Sequence, residues 1–354
     1  MSFLKAVISL FCFVFVLGAA TATGGYVWLK NEIARPGPSS AEQVFVVKSG
    51  QGLSAIAREL ESQGLIRDNR VMRVAARLDK SGHKIKAGEY QLARGLSVSE
   101  TLSALVEGKA IQYKLTIPEG RTIAQALRII EANALLSGEM PDVLPPEGSI
   151  LPDTYFFGRG MARKDLIAQM AKAQDDLLAE LWEGRQADLP LKTPQEAIIL
   201  ASIVEKETGS LKEQPLVAGL FVGRLKVGMR LQSDPTIIYA VSRGEPLYNE
   251  RTGKRRRIRR SEIDAVNEWN TYQIDGLPAT PICNPGRGAI AAVLDPPATD
   301  YVFFVADGKG GHLFAKTNAE HERNVALYRK YEREELAREK AEAAAKAAAE
   351  QEQP

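Results

Sequence analysis

The chain has 354 residues, enough for two or more domains that each bury a core. With 45% hydrophobic and 25% charged residues it has the composition of a globular protein, and a formal net charge of +2 gives no bulk electrostatic case for a nucleic-acid partner. Its two cysteines, Cys12 and Cys283, supply no disulfide framework, and its three histidines, His83, His312 and His321, lack metal-ligand spacing, so neither metal nor cofactor is expected.

From Ala6 to Leu29 no residue is charged, a run long enough as a helix to cross a bilayer core of about 30 Å. Lys5 and Lys30 bracket it, and Tyr26 and Trp28 stand near its far end as interfacial aromatics do. Residues 1–30 therefore read as a stub and a transmembrane anchor; the rival reading is a cleaved signal peptide, with Ala20-Thr21-Ala22 as the small-x-small triplet. The flanking charges do not settle orientation. Residues 31–43, with Pro36, Gly37, Pro38, Ser39 and Ser40, read as a short polar linker.

Val44–Val47 is strand-like, and the run from Gly50 to Leu60 places Leu53, Ile56, Ala57 and Leu60 on one helical face. The pattern recurs from Leu115 to Ile130, aligning Gly50 with Gly120 and Leu60 with Ile130, with a weaker echo from Gly95 through Leu102 and Leu105. Such strand–turn–helix units build small α+β modules. A module over 44–112 and a larger region over 113–330 follow.

In the larger region, 161–183 is amphipathic enough for one helix. Residues 193–209 form the best-marked helix of the chain: Thr193 suits the N-cap, Pro194 the first turn, Glu196 completes a capping box and Gly209 ends it. At about 100° per residue, Ala197, Ile199, Leu200, Ala201, Ile203 and Val204 share a broad arc with Glu207 near its centre, while Glu205 falls beyond the edge. A glutamate on a buried face in the last helical turn keeps its proton to higher pH, through desolvation and through unsatisfied carbonyls, which is what a general acid needs. The plainer alternative is an ion pair with Lys206 or Lys212.

Residues 215–226 read as a packing partner for that helix, and the proline-interrupted stretch 229–239 as a turn around a site or on a surface. The basic cluster Arg251, Lys254, Arg255, Arg256, Arg257, Arg259 and Arg260 has no interleaved aromatics, so it reads as a solvated loop or a contact for anionic lipid or a carboxylate-bearing substrate. Ser261 and Asp264 offer a capping box for a short helix ending near Asn270-Thr271-Tyr272. Prolines and glycines make 276–286 a shaped loop, and 301–306, Asp307–Gly311 and 312–314 make a hairpin. The tail 331–354 is helix-prone but too polar to be core.

Five separated stretches carry a resemblance: Leu200–Thr208; Gly223-Arg224-Leu225 with Met229–Thr236; Asn270-Thr271-Tyr272; Gly276-Leu277-Pro278; and Phe304–His312. In order and spacing they resemble the YceG-like family of bacterial endolytic murein transglycosylases. The first small module, 44–112, is similar to a LysM-like fold. The resemblance implies an α+β protein with a single N-terminal transmembrane helix, a small LysM-like α/β module and a larger mixed α+β catalytic domain. It also implies location in the cell inner membrane, with the catalytic domain in the periplasm and the glycan strands of nascent peptidoglycan as substrate. Association with peptidoglycan synthases, the penicillin-binding proteins, is a further implication. The family's catalytic glutamate falls on Glu207.

In the lytic reaction the family implies, the C6 hydroxyl of N-acetylmuramic acid is the nucleophile, so a single carboxyl suffices. Glu207 protonates the departing glycosidic oxygen and then takes the C6 hydroxyl proton as the 1,6-anhydro ring closes. Gln232, Asp234, Tyr239, Asn270, Tyr272, Asn284 and His312 are the candidate sugar-binding groups. Two alternatives remain open at this point: a non-catalytic peptidoglycan-binding scaffold, and a hydrolytic glycosidase using Glu207 with Asp234 or Glu205.

Overall fold

The computed structural model describes residues 2–48, 50–108 and 110–351. It is a mixed α+β structure of long helices and two-stranded sheets, divided into two compact units. The first comprises Met1–Leu115 with Ala134–Gly138 and Tyr155–Ala162; the second comprises Thr116–Asn133, Glu139–Thr154 and Arg163–Pro354.

The first unit begins with α1 (Ser2–Ala34), a helix whose stretch Val7–Ala34 is long and apolar enough to cross a membrane. Then follow β1 (Gln43–Val47), α2 (Leu53–Ser62), α3 (Asn69–Leu78), β2 (Gly88–Leu92) and α4 (Val98–Val106). β1 and β2 pair antiparallel, Gln43 opposite Leu92 and Val47 opposite Gly88. The period-2 pattern of β1 turns Phe45 and Val47 inward and leaves Val44 and Val46 exposed. Phe45, Ile56, Leu60, Met72, Leu92 and Leu105 close the core under the helices.

The internal echo has a backbone cause. Gly50, Gly95 and Gly120 all adopt left-handed φ, at +75°, +69° and +72°, in the turns that lead into α2, α4 and α5 (Ile123–Glu131). The later two helices then start on full capping boxes, Ser97 with Glu100 and Thr122 with Gln125.

Within the segment expected as a short polar linker, Pro36 and Gly37 are held against their own unit. α1 runs to Ala34, the Pro36 carbonyl accepts from Arg67 Nε at 3.0 Å, and Gly37 N donates to the carbonyls of Gly95 and Leu96 at 3.1 Å. A Cβ at Gly37 would stand 2.4 Å from the Leu96 carbonyl oxygen, so a glycine is what allows the approach.

Two short strands, β3 (Tyr113–Thr116) and β4 (Thr154–Phe157), pair with each other. The second unit then builds α6 (Arg163–Glu183), α7 (Pro194–Glu207) and α8 (Gln214–Lys226), all near their expected places. Beyond them, α9 (Asp234–Ser242) occupies part of the stretch expected as a turn, because Ser233 and Pro235 start a helix there. α10 (Arg260–Asp264) is shorter than expected. Asn270 Nδ2 takes the carbonyls of Glu262, Ile263 and Ala265, which ends the helix before Asn270 is reached. Its cap is also different: Glu262 Oε2 accepts from Arg259 N, where Ser261 and Asp264 were expected.

After the shaped loop over 276–286 comes α11 (Arg287–Leu294), a helix with no sequence expectation behind it. It packs on α7 and α8 and completes the core with Ala289, Ile290 and Val293. The hairpin β5 (Phe303–Ala306) and β6 (His312–Ala315) pairs antiparallel, and α12 (Asn318–Gln351) covers it.

α7 is the axis of this unit. From Ala197 to Val204 every residue is buried, so it has no solvent face in its middle and the amphipathic arc read from the sequence is only part of its buried surface. Thr193 does cap it, accepting from Glu196 N at 3.2 Å, but Glu196 turns back to Lys192 N; only half of the expected capping box exists.

Candidate active site

α7 ends at Glu207 because Thr208 leaves the helix into an extended conformation. The last turn therefore emerges from the core carrying Glu205, Lys206 and Glu207 to its rim. Glu207 is half-buried, and Ser233 Oγ donates to its Oε1 at 2.5 Å. Desolvation pushes its carboxyl up to about 7; the Ser233 hydrogen bond and the Arg224 guanidinium oppose the rise, and the Asp234 carboxylate reinforces it. Neither Lys206 nor Lys212 takes Glu207 as a partner. Lys206 Nζ donates to the Gly120 carbonyl at 3.3 Å instead.

Ser233 is positioned from two sides. Its N donates to Thr271 Oγ1 at 2.9 Å, and its carbonyl accepts from Thr236 Oγ1, which lies 2.9 Å from Thr271 Oγ1. The preceding residue, Gln232, holds a left-handed φ of +50° and donates its N to the Thr271 carbonyl. That turn makes burial alternate: Gln232 and Asp234 are exposed, while Ser233 is buried between them.

Asp234 Oδ1 accepts from the Tyr272 hydroxyl at 2.7 Å. Burial and the two nearby carboxyls, Asp234 and Glu207, push the Tyr272 phenol well up, so it stays a donor. Asp234 and Lys206 also line a cleft of about 680 Å³, whose other walls include Ile238, Tyr239, Arg255 and Arg257.

The remaining candidates divide into two groups. His312 Nδ1 lies 2.9 Å from Glu213 Oε2, and its N donates to Glu213 Oε1. Glu213 also accepts from Thr208 Oγ1 at 3.3 Å, so the β5–β6 hairpin is tied to the residue that follows Glu207. Tyr239 and Asn284 instead face Glu147. The Tyr239 hydroxyl donates to Glu147 Oε2 at 3.2 Å, and Asn284 Nδ2 donates to the Arg121 carbonyl at 2.9 Å and to Glu147 Oε1 at 3.5 Å. Asn284 and Asn270 are fully buried, with their side-chain amides committed to main-chain groups.

Glu205 does not point away as the helical wheel implied. It is half-buried, accepts from Gly286 N at 3.1 Å, and is raised by desolvation and by Glu119. Its oxygen is spent on the loop ahead of α11, whereas Glu207 meets Ser233 and feels Asp234, Tyr272 and Arg224.

Ser233, Arg224, Glu213 and Glu147 were not among the expected site residues. Ser233 had a local signal, a serine two residues before a proline at a helix start. The others owe their positions to partners far along the chain and carried none. Arg224, for instance, is buried with Nε on the Val302 carbonyl.

The site is thus one carboxyl raised to about 7, oriented by a fixed hydroxyl beside an exposed carboxylate and a phenol. Such a group can give up and take back a proton near neutral pH, and it stands in an α+β protein with an apolar N-terminal helix. Residues 45–327 match the YceG-like family, and the chain belongs to that family. It is 26% identical to an endolytic murein transglycosylase of Bacillus subtilis (strain 168), over 80% of this chain and 83% of that one. It is 27% identical to an endolytic murein transglycosylase of Streptococcus pneumoniae serotype 2 (strain D39 / NCTC 7466), over 92% of this chain; the match spans 65% of the pneumococcal protein. A 2.6 Å crystal structure of a yceG-like protein from Listeria monocytogenes aligns with a TM-score of 0.48 at 26% identity, over 80% of this chain and 99% of that one.

Proposed function

We propose that this chain is an endolytic peptidoglycan lytic transglycosylase, anchored in the inner membrane by α1 with the rest of the chain in the periplasm. It cleaves the MurNAc-β-1,4-GlcNAc bond of nascent strands and leaves 1,6-anhydro-MurNAc ends. The observation that carries this reading is the Glu207 carboxyl, raised to about 7 and held by Ser233, in a chain whose relatives are named endolytic murein transglycosylases.

Glu207 first donates its proton to the glycosidic oxygen, for which a pKa near the working pH is the efficient choice. The resulting carboxylate is stabilised by the Ser233 hydroxyl and by Arg224, so it forms without collapse of the site. It then accepts the C6 hydroxyl proton as that oxygen attacks the anomeric carbon, and the proton count returns to its start. Tyr272 keeps its proton beside Asp234, and with Gln232 presents hydrogen-bonding groups to sugar at the exposed edge. Tyr239, Asn270 and Asn284 support the walls of the cleft, and His312 sets the hairpin through Glu213. The first unit, read as LysM-like, holds glycan, and peptidoglycan synthases supply the strands.

Mass spectrometry of the products from purified glycan strands tests the reading. Anhydro ends support it, reducing ends indicate hydrolysis with Asp234 serving the water, and absence of cleavage indicates a binding scaffold.

A further inference from the structure

We propose that the first unit is seated on the bilayer itself, with the groove between the end of α1 and the α3–α4 pair occupied by a phospholipid of the leaflet that α1 leaves. The proposal rests on α1 being a membrane anchor. Its observation is independent of the catalytic site: the anchor helix does not end in a free tether.

α1 is one continuous helix, and its exposed apolar surface ends where packing on the unit begins. Val7 to Trp28 are exposed, whereas Leu29 and Ile33 lean on the core of α2, α3 and α4. At about 1.5 Å per residue, the uncharged run Ala6–Leu29 is about 36 Å long, already more than the about 30 Å of a hydrocarbon core. Leu29 therefore lies at the membrane boundary, and the core it touches begins within a helical turn of it. Pro36 and Gly37, docked on Arg67, Gly95 and Leu96, leave no slack to lift the unit away.

A groove of about 470 Å³ opens at that level, lined by Tyr26, Leu29, Ile33, Ala75, Leu78 and Leu102. Tyr26 is three residues toward the membrane from Leu29, so the groove reaches the depth where interfacial aromatics sit. Leu78, the last residue of α3, is 64% exposed, and Val74, one turn earlier, is 39% exposed. An apolar wall at this depth faces acyl chain. At its polar edge Lys30 lies 5.4 Å from the Tyr26 ring and also lines the groove, with Asp79. Arg77 and Lys80 flank Leu78 and Asp79 in sequence, giving cations an excess over the single carboxylate beside a phosphate headgroup.

The test uses the full chain with Cys12→Ser and a single introduced cysteine, since Cys283 is buried and escapes labelling. Leu78→Cys, Val14→Cys and Val44→Cys are each labelled with an environment-sensitive fluorophore and reconstituted into phosphatidylethanolamine–phosphatidylglycerol vesicles. Val14 lies in the span, and Val44 on the outer face of the β1–β2 pair. The expected result is severalfold stronger quenching at position 78 than at 44 by lipid spin-labelled near the headgroup, with aqueous iodide showing the reverse order. Equal iodide quenching at 78 and 44 overturns the proposal, leaving the anchor intact if 14 is lipid-quenched. Protection of 78 from both quenchers overturns it in favour of a second copy in the groove. Failure of lipid to quench 14 removes the anchor reading, and the seating with it.

Discussion

Ser233 occupies the N-cap of α9, yet its hydroxyl donates to Glu207 Oε1 at 2.5 Å and caps nothing. An N-cap serine ordinarily satisfies a backbone N–H of the first turn; here that stabilisation is forgone and the hydroxyl orients a carboxyl on another helix. Ser233→Ala removes a bond that favours the ionised form, so the Glu207 pKa rises further and the alkaline limb of the pH–rate profile moves to higher pH. The rate on the plateau falls about tenfold, the equivalent of one hydrogen bond of about 1.4 kcal/mol. A pH–rate profile on purified glycan strands checks both, and a slower rate with an unmoved limb would assign Ser233 a purely structural part.

Glu207→Gln keeps the shape and the bond from Ser233 but has no proton to give. Cleavage is expected to fall by about 10²–10⁴-fold, the usual contribution of general acid–base catalysis. Glu205→Gln is the informative control, because Glu205 is also half-buried and raised. Its carboxylate is engaged by Gly286 N, so most turnover is expected to survive. The reverse pattern in measured rates would move the acid to Glu205.

The same substitution has an opposite effect on stability. A carboxyl at about 7 in the fold and 4.5 unfolded binds more protons in the native state between those values. Stability is therefore lost as pH rises from about 4.5 to 7, and the full cost, on the order of 3 kcal/mol, persists above 7. Glu207→Gln removes that cost. Thermal melts should show the variant more stable than the parent at pH 8, and the gap should close toward pH 4.5. A gap independent of pH would mean that Glu207 is not held protonated.

How much of this was legible in the sequence follows from the range of the forces involved. Thr193 and Pro194 act within one helical turn, and α7 starts where they place it. The alternation of β1 and the glycines ahead of α2, α4 and α5 are equally local. The wheel placed Glu207 toward the core and Glu205 beyond its edge, but in a helix buried on every side from Ala197 to Val204 that separation does not hold, and both end half-buried. Their difference comes from Ser233 and Gly286, brought from elsewhere in the chain. α11 went unread because an eight-residue helix opening Arg287-Gly288 after a proline–glycine loop has almost no local signal, although it packs against both central helices. The contacts of Pro36 and Gly37 were unreadable for the same reason: Arg67, Gly95 and Leu96, which hold them, lie far along the chain.

The contact between His312 and Glu213 gives a prediction that separates support from chemistry. Glu213 receives His312 Nδ1, His312 N and Thr208 Oγ1, and so couples the hairpin to the end of α7. Glu213→Ala leaves Thr208 and the β6 edge without their shared acceptor. We expect at least a tenfold fall in kcat with little change in the position of the alkaline limb, because Ser233, Asp234 and Arg224 are untouched. Glu213→Gln, which retains an acceptor oxygen, should recover much of the loss. A limb that moves with Glu213→Ala would show that Glu213 acts on the Glu207 charge directly.

Removal of residues 1–28 separates chemistry from placement. From Val7 to Trp28 the deleted stretch is exposed, whereas Leu29 and Ile33 remain to cover the first unit's core. Purified truncated protein should therefore cleave soluble glycan strands at close to the parental rate and melt within a few degrees of it. In cells it should fail to replace the full chain, because its first unit is no longer held at the membrane surface where new strands emerge. Restoring an unrelated transmembrane helix fused in phase with Leu29 and Ile33 should restore function. The same helix joined through a long Gly/Ser segment should restore it less well, since such a chain reaches on the order of 5–6 Å times the square root of its length and lets the unit drift from the bilayer. Equal complementation by the fixed and the flexible fusions would show that membrane attachment alone matters, and that the helical continuity from α1 into the first unit has no part in directing the cut.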